Sequence, residues 1–163
     1  MSSRSSWYCV VCVLAFACGG CRLVSIEEED VPFFEVTIAD VRVEGVGAGR
    51  MEEEHVFQFW GQFAYPDSSF RFIQFSIANF GKTGTYSLGQ FVGSYGLIDN
   101  RERTQRLAAS SGHRDDNVRI DRFASPGIVQ GTFSFDATAL GDFDNIPYGE
   151  HFMIQGRFLI ELQ

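Results

Sequence analysis

Every second residue from Val129 to Ala137 is apolar or glycine: Val129, Gly131, Phe133, Phe135 and Ala137 alternate with Gln130, Thr132, Ser134 and Asp136. Successive side chains of a strand point to opposite faces, so this pattern puts one face in a core and the other in water. The final segment repeats it with Phe152, Ile154, Gly156, Phe158, Ile160 and Leu162. Upstream, Phe34, Val36 and Ile38 alternate with Glu35 and Thr37, while Phe57, Phe59, Gly61, Phe63 and Tyr65 oppose Gln58, Trp60 and Gln62. No stretch carries a sustained helical stripe. The best helical candidate, 102–110, has only Leu107, Ala108 and Ala109 as apolar residues.

Turn chemistry divides the remaining segments. Val41 and Val43 continue the first strand with opposite parity, which predicts a bulge or bend near Ala39 and Asp40. Gly45 to Gly49 reads as a turn, and so does Pro66-Asp67-Ser68-Ser69. Residues 70–80 read as a strand with a parity slip between Phe72 and Ile73. Gly81 to Gly84 leads into Thr85-Tyr86-Ser87-Leu88, a further strand fits 91–98, and Val118 and Ile120 mark a short one. Residues 99–117 are polar and read as the longest irregular loop. The expectation is an all-β domain over 33–163, a single antiparallel β-sandwich or small β-barrel of about eight strands. The 17 phenylalanines are ample for its core, and 17 glycines against 4 prolines suit tight turns.

The first residues do not belong to that domain. Arg4 lies in a short polar start, and Trp7 to Ala17 is an unbroken apolar run of eleven residues. A lasting membrane span needs about 20, so the run fits the apolar region of a signal peptide. All four cysteines, Cys9, Cys12, Cys18 and Cys21, fall in this segment, which excludes a disulfide framework for the domain. Ala17-Cys18-Gly19-Gly20-Cys21 resembles a bacterial lipoprotein signal, in which a cysteine after a small residue takes fatty acyl chains such as palmitate and becomes the mature amino terminus. The resemblance implies lipidation at Cys18, with Cys21 the alternative and 20 the alternative end of the leader. Ala15-Phe16-Ala17 also fits ordinary signal cleavage, which would release a soluble secreted or periplasmic protein. Residues 18–32, with Glu27-Glu28-Glu29-Asp30, read as an acidic, solvated tether.

Charge narrows the partners. The first 17 residues carry one positive charge, Arg4, and no acid, so the chain's net −8 leaves −9 for the rest. Such a surface repels phosphate backbones, and nucleic acid is not an expected partner. Arg101, Arg103 and Arg106 form the densest basic cluster, with Asp99, Glu102, Asp115 and Asp116 nearby, and read as a solvated loop.

Three segments in order carry a wider resemblance: Gly84-Thr85-Tyr86-Ser87-Leu88, then Ile120 to Phe123 with Gly131 to Ala137, then Ile154-Gln155-Gly156-Arg157-Phe158. They resemble the β-rich lipoprotein domains common in Bacteroidota, over about residues 70–160. That resemblance implies an envelope address and a β-domain and assigns no activity.

Chemistry-bearing constellations are sparse. His55, His113 and His151 share no metal-ligand spacing; His113 with Asp115 and Asp116 is a weak loop candidate. Asp142-Phe143-Asp144-Asn145 hints at calcium but lacks the spacing, glycine and terminal glutamate of an EF-hand. Serines occur without a nucleophile elbow, and Gly45 to Gly49 has no following lysine to hold phosphate. No catalytic, cofactor or metal residues are assigned. Trp60, on a polar face, and Tyr65 are the candidate ligand or partner contacts. The expected function is a non-enzymatic, lipid-anchored envelope protein, placed at the outer membrane, whose domain binds or scaffolds an envelope protein or glycan. The alternatives are a carrier of a small apolar ligand inside a barrel and a hydrolase using loop carboxylates.

Overall fold

The computed structural model describes residues 31–53, 55–87, 89–98, 104–124 and 127–163. The leader, Cys18, Cys21 and nearly all of the tether lie outside the described residues, as do Leu88, Asp99, Arg101, Glu102 and Arg103. Ten strands are described: β1 (Phe33–Ile38), β2 (Val41–Glu53), β3 (Val56–Ala64), β4 (Phe70–Ala78), β5 (Gly84–Ser87), β6 (Phe91–Ile98), β7 (Thr104–Ser110), β8 (Asn117–Ala124), β9 (Ile128–Ala139) and β10 (His151–Leu162). All belong to one sheet.

The sheet curls into a ring. Neighbours run β1, β2, β3, β4, β6, β7, β9 and β10, and β10 pairs back onto β1. Every pairing is antiparallel except where the end of β10 meets β2 at Ala48 and Gly49. One edge of β9 pairs with β10 along its length. The other edge is shared, with Ala137 to Ala139 on β7 and Ile128 to Ser134 on β8. β8 carries β5 as a short outer arm. The all-β expectation holds, and the about eight strands expected become ten because a hairpin at Ala39 and Asp40 divides the first strand in two and residues 104–110 form another.

Four local readings are corrected. Ala39 and Asp40 form a two-residue hairpin turn, with φ of 44° and 71° and Ile38 paired to Val41, in place of a bulge. Gly45 to Gly49 lies inside β2 and makes no turn. Gly47 and its cross-strand partner Gly61 lie where the Phe34 ring crosses the sheet. A Cβ at Gly61 would sit 2.5 Å from Phe34 Cζ, and one at Gly47 would sit 2.7 Å from Ile160 Cγ2. These glycines serve close approach. The parity slip in 70–80 does not exist: Arg71, Ile73, Phe75 and Ile77 point inward, and Phe72 points out. Residues 104–110, read as loop or marginal helix, form β7. Its first three residues, Thr104, Gln105 and Arg106, are exposed on both faces, so that half carries no apolar alternation.

Phenylalanine fills the ring. Phe59 lies 4.6 Å from Phe75, 4.5 Å from Phe158 and 5.5 Å from Phe57, measured between ring centroids. Phe133 continues the stack to Phe75 (4.8 Å) and Phe34 (5.6 Å). Each fully buried ring contributes roughly 1.5–3 kcal/mol by leaving water, and such ring pairs add about 0.5–1.5 kcal/mol. One end of the ring is closed by Phe80 against Tyr86 and Phe123 (5.6 and 5.5 Å). The other end is closed by Arg71 and the β9–β10 connection.

Candidate binding site on the outer face

The outward side chains of β2, β3, β4 and β6 form a grid fixed by register. Trp60 pairs with Ala48 on one side and Gln74 on the other. One step along, Val46, Gln62, Phe72 and Gly96 stand in a row. A Cβ at Gly96 would fall 2.5 Å from Phe72 Cζ, so the missing side chain leaves room for the Phe72 ring to lie over it. The result is a groove of about 290 Å³ lined by Arg50, Gln58, Trp60, Gln62, Phe72, Gln74, Ile98 and Thr104. Val46, Phe70 and Val92 add exposed apolar surface on the same face, at 73, 61 and 57% exposure.

Charge within the groove is matched. Arg50 donates to Glu52 and to Gln58 Oε1 (3.3 Å), and Gln58 Nε2 donates to Glu52 Oε2 (2.7 Å). The Arg50 guanidinium lies 6.0 Å from the Trp60 ring. Gln62 and Gln74 are exposed and make no side-chain hydrogen bond among the described residues. Two aromatic rings and two free amides therefore share one rigid surface.

Tyr65 is elsewhere. It follows β3 on the inward parity, at the Arg71 end of the ring, so it does not join Trp60. Its ring lies 3.7 Å from the Arg71 guanidinium. Arg71 is 3% exposed and all its donors are engaged: Nε to Ser69 Oγ (2.8 Å), Nη1 to Tyr95 and Asp144, and Nη2 to Asp67 Oδ2 (2.5 Å) and Asp144 Oδ1 (2.8 Å). Burial opposes the guanidinium charge, but the bonds with Asp144 and Tyr95 prevail and its pKa is raised. Burial pushes the Tyr95 phenol up, against the Arg71 bond. Sequence reasoning missed Arg71 because an arginine on an inward parity was taken for a slip of register.

The other candidates resolve into structural roles. Asp144 and Asn145 have φ of 50° and 63° and form a two-residue turn between Phe143 and Ile146. Asp142 Oδ1 accepts from the Tyr148 N–H (2.8 Å), so the two aspartates face different partners and do not converge on a cation. Asp116 is 2% exposed and accepts from the His113 and Asp136 N–H groups (2.9 and 2.8 Å), which staples the loop. His113 lies 3.9 Å from Asp115, and His151 lies 3.1 Å from Asp136. Among the described residues no group of three or more His, Cys, Asp or Glu is placed to hold a metal.

A larger open groove of about 530 Å³ crosses β1, β10 and β9. Its charges satisfy one another: Glu35 accepts from Arg157 (2.6 and 3.0 Å) and Arg42 (2.7 Å), and the Arg157 bonds hold its carboxyl below the usual range. It has no aromatic platform among its outward side chains. The Trp60 groove instead combines two outward aromatic side chains with amides that have no side-chain partner among the described residues, which favours it as the ligand surface. No family model, curated protein or solved structure matches the chain.

Proposed function

We propose that this chain is an exported, lipid-anchored, non-catalytic binding protein of the cell envelope, whose β-ring presents the Trp60 groove to a ligand or partner. The observation that carries the reading is the pairing of a filled interior with an aromatic, amide-lined groove on the outer face. Ring contacts of 4.5–4.8 Å occupy the space an apolar cargo would need, which weighs against the carrier. Asp67 and Asp144, two carboxylates gathered at one end of the ring, are both spent on Arg71, which weighs against a hydrolase built on them.

The address rests on the leader. A run of eleven apolar residues that ends at Ala17 and is followed by Cys18 supports acylation at Cys18, with Cys21 second. Two or more acyl chains give stable anchoring, at about 0.8 kcal/mol per buried CH₂. The acidic stretch at 27–30 would keep the ring off the lipid surface. Mass spectrometry of the mature amino terminus is the test. The expected result is a diacylglycerol-modified Cys18 or Cys21. A free terminus at Cys18 supports the soluble secreted alternative, and an intact Met1 or Ser2 on cytosolic protein overturns export.

A further inference from the structure

We infer that the Trp60 groove binds an uncharged polysaccharide chain; this inference rests on the reading of the outer face as a binding surface. Three observations point to that ligand chemistry. Trp60 pairs with Gln74 and Phe72 pairs with Gln62, so the two aromatic residues occupy diagonal positions on adjacent strands, and both project from the outer face. A pyranose ring offers an apolar C–H face to stack on an aromatic ring and hydroxyls around its rim. Two aromatic residues on one face offer a sugar chain more than one stacking platform. The free amides of Gln62 and Gln74 each carry a donor and an acceptor, which matches hydroxyls that do both.

Charge in the groove offers an acidic chain little. Among the described residues that line it the cation is Arg50, already bonded to Glu52 and Gln58, while the exposed Arg106, cross-strand from Gly96, stands at its edge. The chain's net charge of −8 adds a general repulsion. The filled ring beneath holds the platform in one geometry, which lowers the ordering cost of binding.

The chain's two tryptophans are Trp7 and Trp60, so Trp7→Phe in the full chain makes Trp60 the sole reporter. That protein, in a detergent without a sugar headgroup, is titrated with malto-, cello-, laminari- and N-acetylchito-hexasaccharides, with oligogalacturonate as the acidic control. The expected result is a saturable change in Trp60 emission with at least one neutral chain. Gln74→Ala should weaken that affinity at least tenfold, with the unfolding midpoint unchanged. No response to any neutral chain, tighter binding of oligogalacturonate, or an unaffected Gln74→Ala overturns the inference. So does a protein cross-linked through a photoreactive residue at Gln62 with no saccharide response. A silent titration with an acylated Cys18 rejects the saccharide alone. A responsive Trp60 on uncleaved cytosolic protein rejects the envelope address alone.

Discussion

Asp144→Asn isolates the ion pair that closes one end of the ring. Asparagine keeps the side-chain size and tolerates the left-handed backbone at this position (φ 50°), so the turn is preserved and only the charge is lost. The Arg71 side chain is 4% exposed and that of Asp144 20%, whereas Asp67, on the same guanidinium, is 50% exposed. Removing one member of a buried pair costs about 3–5 kcal/mol because the other charge stays buried. An exposed pair contributes about 0–1 kcal/mol. Asp67 still compensates Arg71 after the change, which places Asp144→Asn at about 3 kcal/mol and Asp67→Asn below about 1 kcal/mol. Urea unfolding followed by circular dichroism measures both; with slopes of about 1–3 kcal/mol/M the larger loss lowers the midpoint by about 1–3 M. Amide exchange should also quicken across residues 140–150 before the core responds. Equal losses for the two variants, or a loss below about 1 kcal/mol for Asp144→Asn, would refute the claim that this pair is shielded from water.

Two further outcomes follow from the same packing. Hydrogen bonds from the Ser69 hydroxyl and amide, with Arg71 beside them, lower the Asp67 pKa from 3.8 to about 2. The unfolded chain then binds the proton more readily, so this contribution is full above about pH 4 and is lost as pH falls through about 2; Asp67→Asn should flatten that stretch of an acid-unfolding curve. Gly61→Ala drives a Cβ into the Phe34 ring and should cost about 1–3 kcal/mol in thermal or urea unfolding, with Phe34→Leu added to it restoring part of the loss.

The strands with one wet face were legible in the chain. β1, β3, β9 and β10 have residues whose polarity tracks the pleat, and their inward residues are the core. What escaped had a physical reason in each case. β7 is exposed on both faces over Thr104 to Arg106, so nothing forces alternation there. The glycines of β2 serve Phe34, across the β1–β2 hairpin, and Ile160, which comes from the far end of the chain. Arg71 reads as an outward residue until Asp144, 73 positions later, supplies its partner. At the site, Trp60 stood out because it broke the polar pattern of its own face. Phe72 did not, since its outward placement depends on Arg71 being inward, and its ring rests on Gly96 from another strand.

The account holds that the interior of the ring is full and that binding occurs outside it. Titration of the full chain with the apolar fluorophore N-phenyl-1-naphthylamine tests this directly. The expected signal rises without saturation, because stacked rings occupy the interior. Saturable uptake of one fluorophore per chain, displaced by a fatty acid, would contradict the account and restore the carrier.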